Sequence, residues 1–186
     1  MARKSLKIIL KLAVLVAILA TAFYFAQVSR ENEMVAELVY DYGYYGIFAV
    51  AVISGFNLAV PVPAIAFLPL FLESGLNFWS TIILITIGVT LADSFTYVIG
   101  RLGREVIDDK RKMIIALERA GERHWWAPMT LLFLFSAVVP LPNEILVVPL
   151  GFLNYRFGRI WPVILAGNFI FNFIYASGVI NLFELV

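Results

Sequence analysis

Asp93 and Glu144 are the only two carboxylates that lie well inside long apolar stretches of this 186-residue chain. A carboxylate at bilayer depth costs about 2.5–3.5 kcal/mol on insertion scales, so it faces a partner or a watery cavity. Asp93 falls on one helical face with Thr86, Thr90, Tyr97 and Arg101, spaced three or four apart. Asn168, Asn172 and Tyr175 form a matching polar stripe near the C-terminus. Glu144 directly follows Pro140-Leu141-Pro142-Asn143. Asn143 is placed to cap a half-helix that starts there, with Glu144 in its first turn, where the helix dipole favours a carboxylate. The chemistry these residues offer is proton binding that gates or couples transport, with Asn143, Asn172, Tyr97 and Arg101 along the same pathway. The structural alternative is a pair of hydrogen-bonded acids, with Asp93 pairing Arg101 or holding a broken backbone.

The prolines explain why the backbone must break beside these groups. Pro61 and Pro63 remove the amides that would serve the carbonyls of Asn57 and Ala59, and Pro140 and Pro142 do the same for Ser136 and Val138. Val60, Val62, Val139 and Leu141 precede prolines and are pushed toward extended conformations. Lipid cannot satisfy the freed groups, so each break must be buried in protein or face water. Two such tips, meeting near the bilayer midplane, solve the problem together.

The rest of the chain reads as an integral membrane protein. It is 62% hydrophobic and 15% charged, with a mean hydropathy of +0.91, against about 25% charged in soluble domains. Apolar stretches cover 8–27, 46–72, 77–100, 129–153 and 160–183. The first follows a basic start and, at its length, reads as a retained transmembrane helix rather than a signal peptide. If all five crossed the membrane, 101–127, with half of the Lys and Arg, would lie outside, against the positive-inside bias. If 46–72 and 129–153 instead dip in and return, 13 of the 14 Lys and Arg become cytoplasmic. That arrangement has three full spans and two re-entrant hairpins. It puts the N-terminus and the 101–127 linker in the cytoplasm and the C-terminus outside a plasma membrane. The linker spaces Leu102, Val106, Ile107, Ile114 and Leu117 as an amphipathic interfacial helix, with Trp125 and Trp126 at headgroup level.

A shift of 79 residues superimposes Pro61 on Pro140, Pro63 on Pro142, Phe78 on Phe157, Gly88 on Gly167 and Asp93 on Asn172. Each unit is a hairpin followed by a span, and the two enter from opposite faces, as in many secondary transporters. The expected fold is therefore all-α and membrane-integral, an inverted repeat of re-entrant hairpin plus transmembrane helix. Its parts are 1–45, an added N-terminal helix with an acidic external segment; 46–100, the first unit; 101–128, the linker; and 129–186, the second unit.

The stretches NLAVPVPAIAFLPL (57–70) and GVTLADSFTYVIGRLG (88–103) resemble the DedA/VTT family of membrane proteins. VVPLPNEILVVPLG (138–151) repeats that family's proline-loop pattern, and Tyr97-x-x-x-Arg101 fits its aromatic-x-x-x-basic element. The resemblance covers about residues 46–183. It implies two facing re-entrant hairpins and a role in moving or scrambling lipids, including polyprenyl-phosphate carriers, often with dependence on the proton gradient. The chain departs from the pattern at Phe56 and Ile65, where the family commonly has acids, and at Ala137 and Asn143, where many members have arginines. Those losses weaken the case for a phosphate held by side-chain charge, although half-helix amides still bind anions.

The expected partners are thus membrane lipids, with protons as coupling ion and no cofactor. An assembly protein that shapes the bilayer or binds a membrane partner is the competing reading. With three full spans the chain could pair with a second copy, though no small-xxx-small pattern decides it. An enzyme is not expected. The chain has no cysteine and one histidine, His124, and lacks Gly-x-Ser-x-Gly and His-Glu-x-x-His. Nucleic acid is not expected either, because the basic residues of 101–127 alternate with five acids.

Overall fold

The computed structural model describes residues 37, 41–56, 63–103, 112–124 and 126–183. The expected N-terminal span, Pro61 and Trp125 lie outside the described residues. Those described contain helices and no strand: α1 (Tyr44–Ser54), a 3-10 turn (Ala64–Phe67), α2 (Leu68–Glu73), α3 (Phe78–Gly103), α4 (Lys112–Arg123), α5 (Ala127–Val138), α6 (Glu144–Phe152) and α7 (Phe157–Phe183).

Local chemistry sets these boundaries. Asn77 caps α3, its Oδ1 accepting the amides of Trp79 at 3.0 Å and Ser80 at 3.2 Å. The helix runs to Gly103, so Arg101 and Leu102 belong to it rather than to the amphipathic linker expected from residue 101. α5 stops at Val138, ahead of the two prolines. Val139 is extended (φ −92°, ψ 117°), and the Leu141 amide turns back to the Val139 carbonyl at 2.8 Å, closing a three-residue turn around Pro140. In the first unit α1 ends at Ser54, and the chain resumes from an extended Pro63 into the 3-10 turn.

The short return helices end alike. At the end of α2 the amides of Leu76 and Gly75 bond to Phe71 and Leu72, with Gly75 at φ +81°. At the end of α6 the amides of Tyr155 and Asn154 bond to Leu150 and Gly151, with Asn154 at φ +57°. Both are Schellman caps, which need a residue that tolerates the left-handed region. Gly75 and Asn154 are 79 residues apart, the offset of the sequence repeat, and α3 and α7 start three residues after them.

α3 and α7 lie antiparallel. Trp79 stacks on Phe173 with centroids 5.7 Å apart near one end, and Tyr97 lies 5.2 Å from Phe157 near the other. Glycines let the remaining helices approach. A Cβ on Gly88 would come within 2.6 Å of the Ala51 Cβ, and one on Gly55 within 2.6 Å of the Ala92 Cβ, so α1 runs against α3. Gly167 on α7 receives Ser136 of α5 in the same way. α6 runs parallel to α3, with Gly100 against the Val148 backbone and Gly151 against the Tyr97 carbonyl.

These contacts place the ends of each broken unit. The Asn77 amide donates to the Tyr44 hydroxyl at 3.1 Å, so α1 begins at the end of the bundle where α2 finishes. α5 begins beside α4, and α6 returns to Tyr155, which packs on Gly121 of α4. α1 thus begins and α2 finishes at the end of the bundle where α3 starts, and α5 begins and α6 finishes at the end where α7 starts. Both breaks reach the level of residues 92–93 of α3, Gly55 against Ala92 and Asn143 against Asp93.

Two apolar clusters hold this arrangement. Ile47, Ile65, Leu68, Phe71, Ile82 and Ile85 fill one, together with Ala176. Tyr97, Leu117, Leu132, Val147, Leu150, Ile160 and Ile164 fill the other. α3 and the Phe157–Gly178 part of α7 are long and apolar enough to cross a membrane. The outer face of α3 exposes Trp79, Ile83, Ile87, Leu91, Phe95 and Ile99 in one stripe, an apolar surface that water does not favour.

Replacing Gly151 with Val should force α6 off α3 and destabilise the fold by about 1–3 kcal/mol. Gly158, with nothing within 4 Å of its Cβ position, is the control: Gly158→Ala should leave the thermal midpoint in detergent unchanged or slightly raised.

Candidate functional site: a buried polar cluster at the helix break

Asp93 lies fully buried on α3, close to the helix midpoint. Its Oδ2 accepts the Asn143 amide at 3.0 Å and the Asn168 amide at 2.9 Å. Asn143 also donates to the Asn168 Oδ1 at 2.8 Å, and Asn168 donates to the Thr90 Oγ1 at 3.1 Å. One turn further along, Asn172 donates to the Thr86 Oγ1 at 3.1 Å. The ladder ties α3, α7 and the start of α6 together within the apolar bundle.

Asn143 stands at the start of α6 but does not cap it. Its own backbone is helical (φ −61°, ψ −24°), and its side chain makes no capping bond. A capping side chain needs an extended residue beneath it so that the oxygen can turn back to the second or third amide. With a helical backbone the Asn143 amide points across to α3 instead. The capping role expected from sequence is thereby corrected. Glu144 does occupy the first turn of α6 as expected. Only 4% of it is exposed, and neither carboxylate oxygen has a hydrogen-bond partner among the described residues. The Oδ1 of Asp93 is in the same condition.

The cluster brings together Asp93, Asn143, Asn168 and Thr90, with Glu144 beside Asn143 and Asn172 one turn away. Tyr97 and Arg101 are elsewhere. Tyr97 donates its hydroxyl to the Tyr155 carbonyl at 2.7 Å. Arg101 is exposed at the end of α3, eight residues from Asp93, or about 12 Å along the axis. The Asp93–Arg101 pair considered from sequence does not form, because amides of α6 and α7 take that role. Pro140 and Pro142 lie in the break itself, and Pro63 opens the 3-10 turn. Thr81, also fully buried, has an unpartnered Oγ1 nearer the start of α3.

Asn168 is the member that sequence reasoning left outside the pathway, although it stood in the C-terminal polar stripe. The 79-residue shift matched Asp93 with Asn172. The antiparallel run of α3 and α7 instead sets Asn168 opposite residues 90–93. Spacing along a helix finds a polar face, whereas the register between two helices decides which members of it meet.

Chemically, the site offers three carboxylate oxygens without a donor among the described residues, beside a set of fixed amides. That arrangement can take up a proton or a small cation, or accept hydrogen bonds from a polar group passing the break. Among the described residues no group of three or more His, Cys, Asp and Glu is placed to hold a metal. Compared with protein-family models, with curated proteins and with solved structures, the chain matches none.

Asn143→Leu and Asn168→Leu should each destabilise the protein by about 1–3 kcal/mol, the cost of leaving buried acceptors without donors. Because both amides serve one oxygen of Asp93, the double variant should depart from the sum of the single changes. Unfolding in detergent measures this, and strict additivity would show that the two amides act independently.

Proposed function

We propose that this chain is an integral membrane protein that moves or scrambles lipids, either phospholipids or a polyprenyl-phosphate carrier, with protons as the coupling ion. The observation that carries the reading is Glu144: a buried carboxylate without a donor among the described residues, at a proline break in an apolar bundle, beside a second acid held by amides. A purely structural acid would be expected to keep its oxygens bonded.

The membrane arrangement rests on several supports. α1, α5 and α6 have 11, 12 and 9 residues, so they extend about 14–18 Å, close to half of a hydrocarbon core of about 30 Å. On this reading they are the arms of two re-entrant hairpins whose tips lie near the midplane. The antiparallel run of α3 and α7 favours an inverted repeat. Arg101, α4, Arg156 and Arg159 gather at one end of the bundle, which suits the cytoplasmic side of a plasma membrane. The DedA/VTT motifs quoted above point to the same class of activity. The competing reading is an assembly protein whose short hairpins shape the bilayer or hold a partner.

Purified protein in liposomes containing a tail-labelled phospholipid or polyprenyl phosphate should accelerate leaflet exchange, with a rate that varies between pH 5 and 8. Glu144→Gln should reduce exchange to the protein-free rate while inserting normally, and Asp93→Asn should slow it. Wild-type protein that is folded and inserted, yet exchanges neither lipid, would sink the transport reading in favour of the assembly role.

A further inference from the structure

Where α3 and α6 finish, the C-terminal half of α4 faces the turn between α6 and α7. Glu118, Gly121 and Glu122 of α4 and Tyr155, Arg156 and Arg159 of the turn and the start of α7 line an open cleft of about 410 Å³. That is within the range of about 300–1,000 Å³ typical of small-molecule sites.

The cleft is a product of the fold. The Schellman cap of α6 and the bond from the Tyr97 hydroxyl to the Tyr155 carbonyl fix the Tyr155 backbone. Its ring reaches under α4, where Gly121 leaves room for the phenol oxygen that any Cβ would strike. Glu118 and Glu122 are one helical turn apart and so share a face. Burial, and then the charges of Glu118 and Glu122, push the Tyr155 phenol above its ordinary range, so both carboxylates lie near the ring. Glu118 and Arg159 each have an interaction of their own within the protein, and the site does not require either to be free.

A cleft with one acidic and one basic wall is complementary to a molecule carrying both charges a few ångströms apart. Its surroundings indicate where such a molecule comes from. Trp126 is exposed beside the end of α4, stacked on His124 with centroids 5.4 Å apart, as suits the headgroup level. Exposed Leu102, Phe157 and Trp161 offer apolar surface at the same end of the bundle for acyl chains.

We propose that this cleft binds the phosphoethanolamine headgroup of a phospholipid, with Arg156 and Arg159 receiving the phosphate and Glu118 and Glu122 the ammonium. The Tyr155 hydroxyl, against Gly121 of α4, is a further donor in the same cleft. Guanidinium groups match phosphate oxygens in geometry, and the paired carboxylates select a primary ammonium over an uncharged headgroup. The proposal rests on the membrane placement given above and not on transport.

The test is equilibrium binding to the purified full chain in detergent, using tail-labelled phosphatidylethanolamine and phosphatidylglycerol. Free phosphoethanolamine and inorganic phosphate serve as competitors. Phosphatidylethanolamine should bind about tenfold more tightly than phosphatidylglycerol. Glu118→Gln with Glu122→Gln should abolish that preference while phosphatidylglycerol still binds. Arg156→Gln with Arg159→Gln should weaken both lipids about tenfold, and Arg156→Lys with Arg159→Lys should restore much of the loss. The thermal midpoint of each variant separates loss of the site from loss of the fold.

The proposal is overturned if wild-type protein shows no preference, or if the preference survives both double Gln variants. It is also overturned if free phosphoethanolamine or phosphate binds as tightly as the lipid, since the cleft would then serve a soluble ligand. Leaflet exchange measured on the same samples keeps the two readings apart. Selective binding without exchange would sink the transport reading alone, and exchange without selective binding would sink this one alone.

Discussion

One oxygen of Asp93 organises the middle of the molecule. It accepts amide donors from two other elements, Asn143 at the start of α6 and Asn168 on α7. In an apolar bundle a carboxylate cannot turn to water, so these donors must arrive together from different directions. Meeting that demand fixes α6 to begin at the level of Asp93, and fixes α7 in one register against α3. The thread from sequence to fold passes through this constraint. The prolines stop α5 short, the break brings Asn143 to the right depth, and α6 then runs back along α3.

Close backbone approach makes the register affordable to the chain. Gly100 and Gly151 let α3 and α6 touch at two places, and Gly88 and Gly167 let each long helix receive an arm of its own unit. On the membrane placement proposed above, interhelical hydrogen bonds would average only about 0.6 kcal/mol. The ladder from Thr86–Asn172 to Asp93–Asn143 therefore selects an arrangement more than it drives association. Packing at the glycines and in the two apolar clusters supplies most of the attraction. Polar bonds choose among the arrangements that packing permits.

Much of this was legible in the sequence, and the reasons for the rest are specific. The proline pair predicted the end of α5 at Val138, because the missing amides leave Ser136 and Val138 without partners whatever the tertiary context. The 79-residue offset superimposes Phe78 on Phe157, which prove to be the first residues of α3 and α7, and it also joins Gly75 to Asn154 in their caps. The stripes on α3 and α7 named every residue of the hydrogen-bond ladder except Asn143, which came from the break. What the sequence did not disclose was direction. Asn143 looks like a cap until its backbone proves helical, and Arg101 looks like a partner for Asp93 until the amides of other elements arrive first. Those outcomes depend on how helices meet, which no local pattern encodes.

The outer apolar stripe of α3 has a mechanical consequence. From Trp79 to Ile99 it covers 21 residues, about 31 Å of helix, a match to a hydrocarbon core of about 30 Å. In the membrane placement proposed above, α3 would span such a core nearly upright, and a thinner bilayer would make it tilt. α6 is locked to α3 at two glycines and tilts with it, while the short arms keep their length. Hydrophobic mismatch would then act directly on the break. On that placement a thin bilayer would lean α3 and draw the opposite leaflet toward Glu144, whereas a thick one would hold α3 upright and bury the break deeper. Bilayer thickness would then be a mechanical input to the cluster around Asp93.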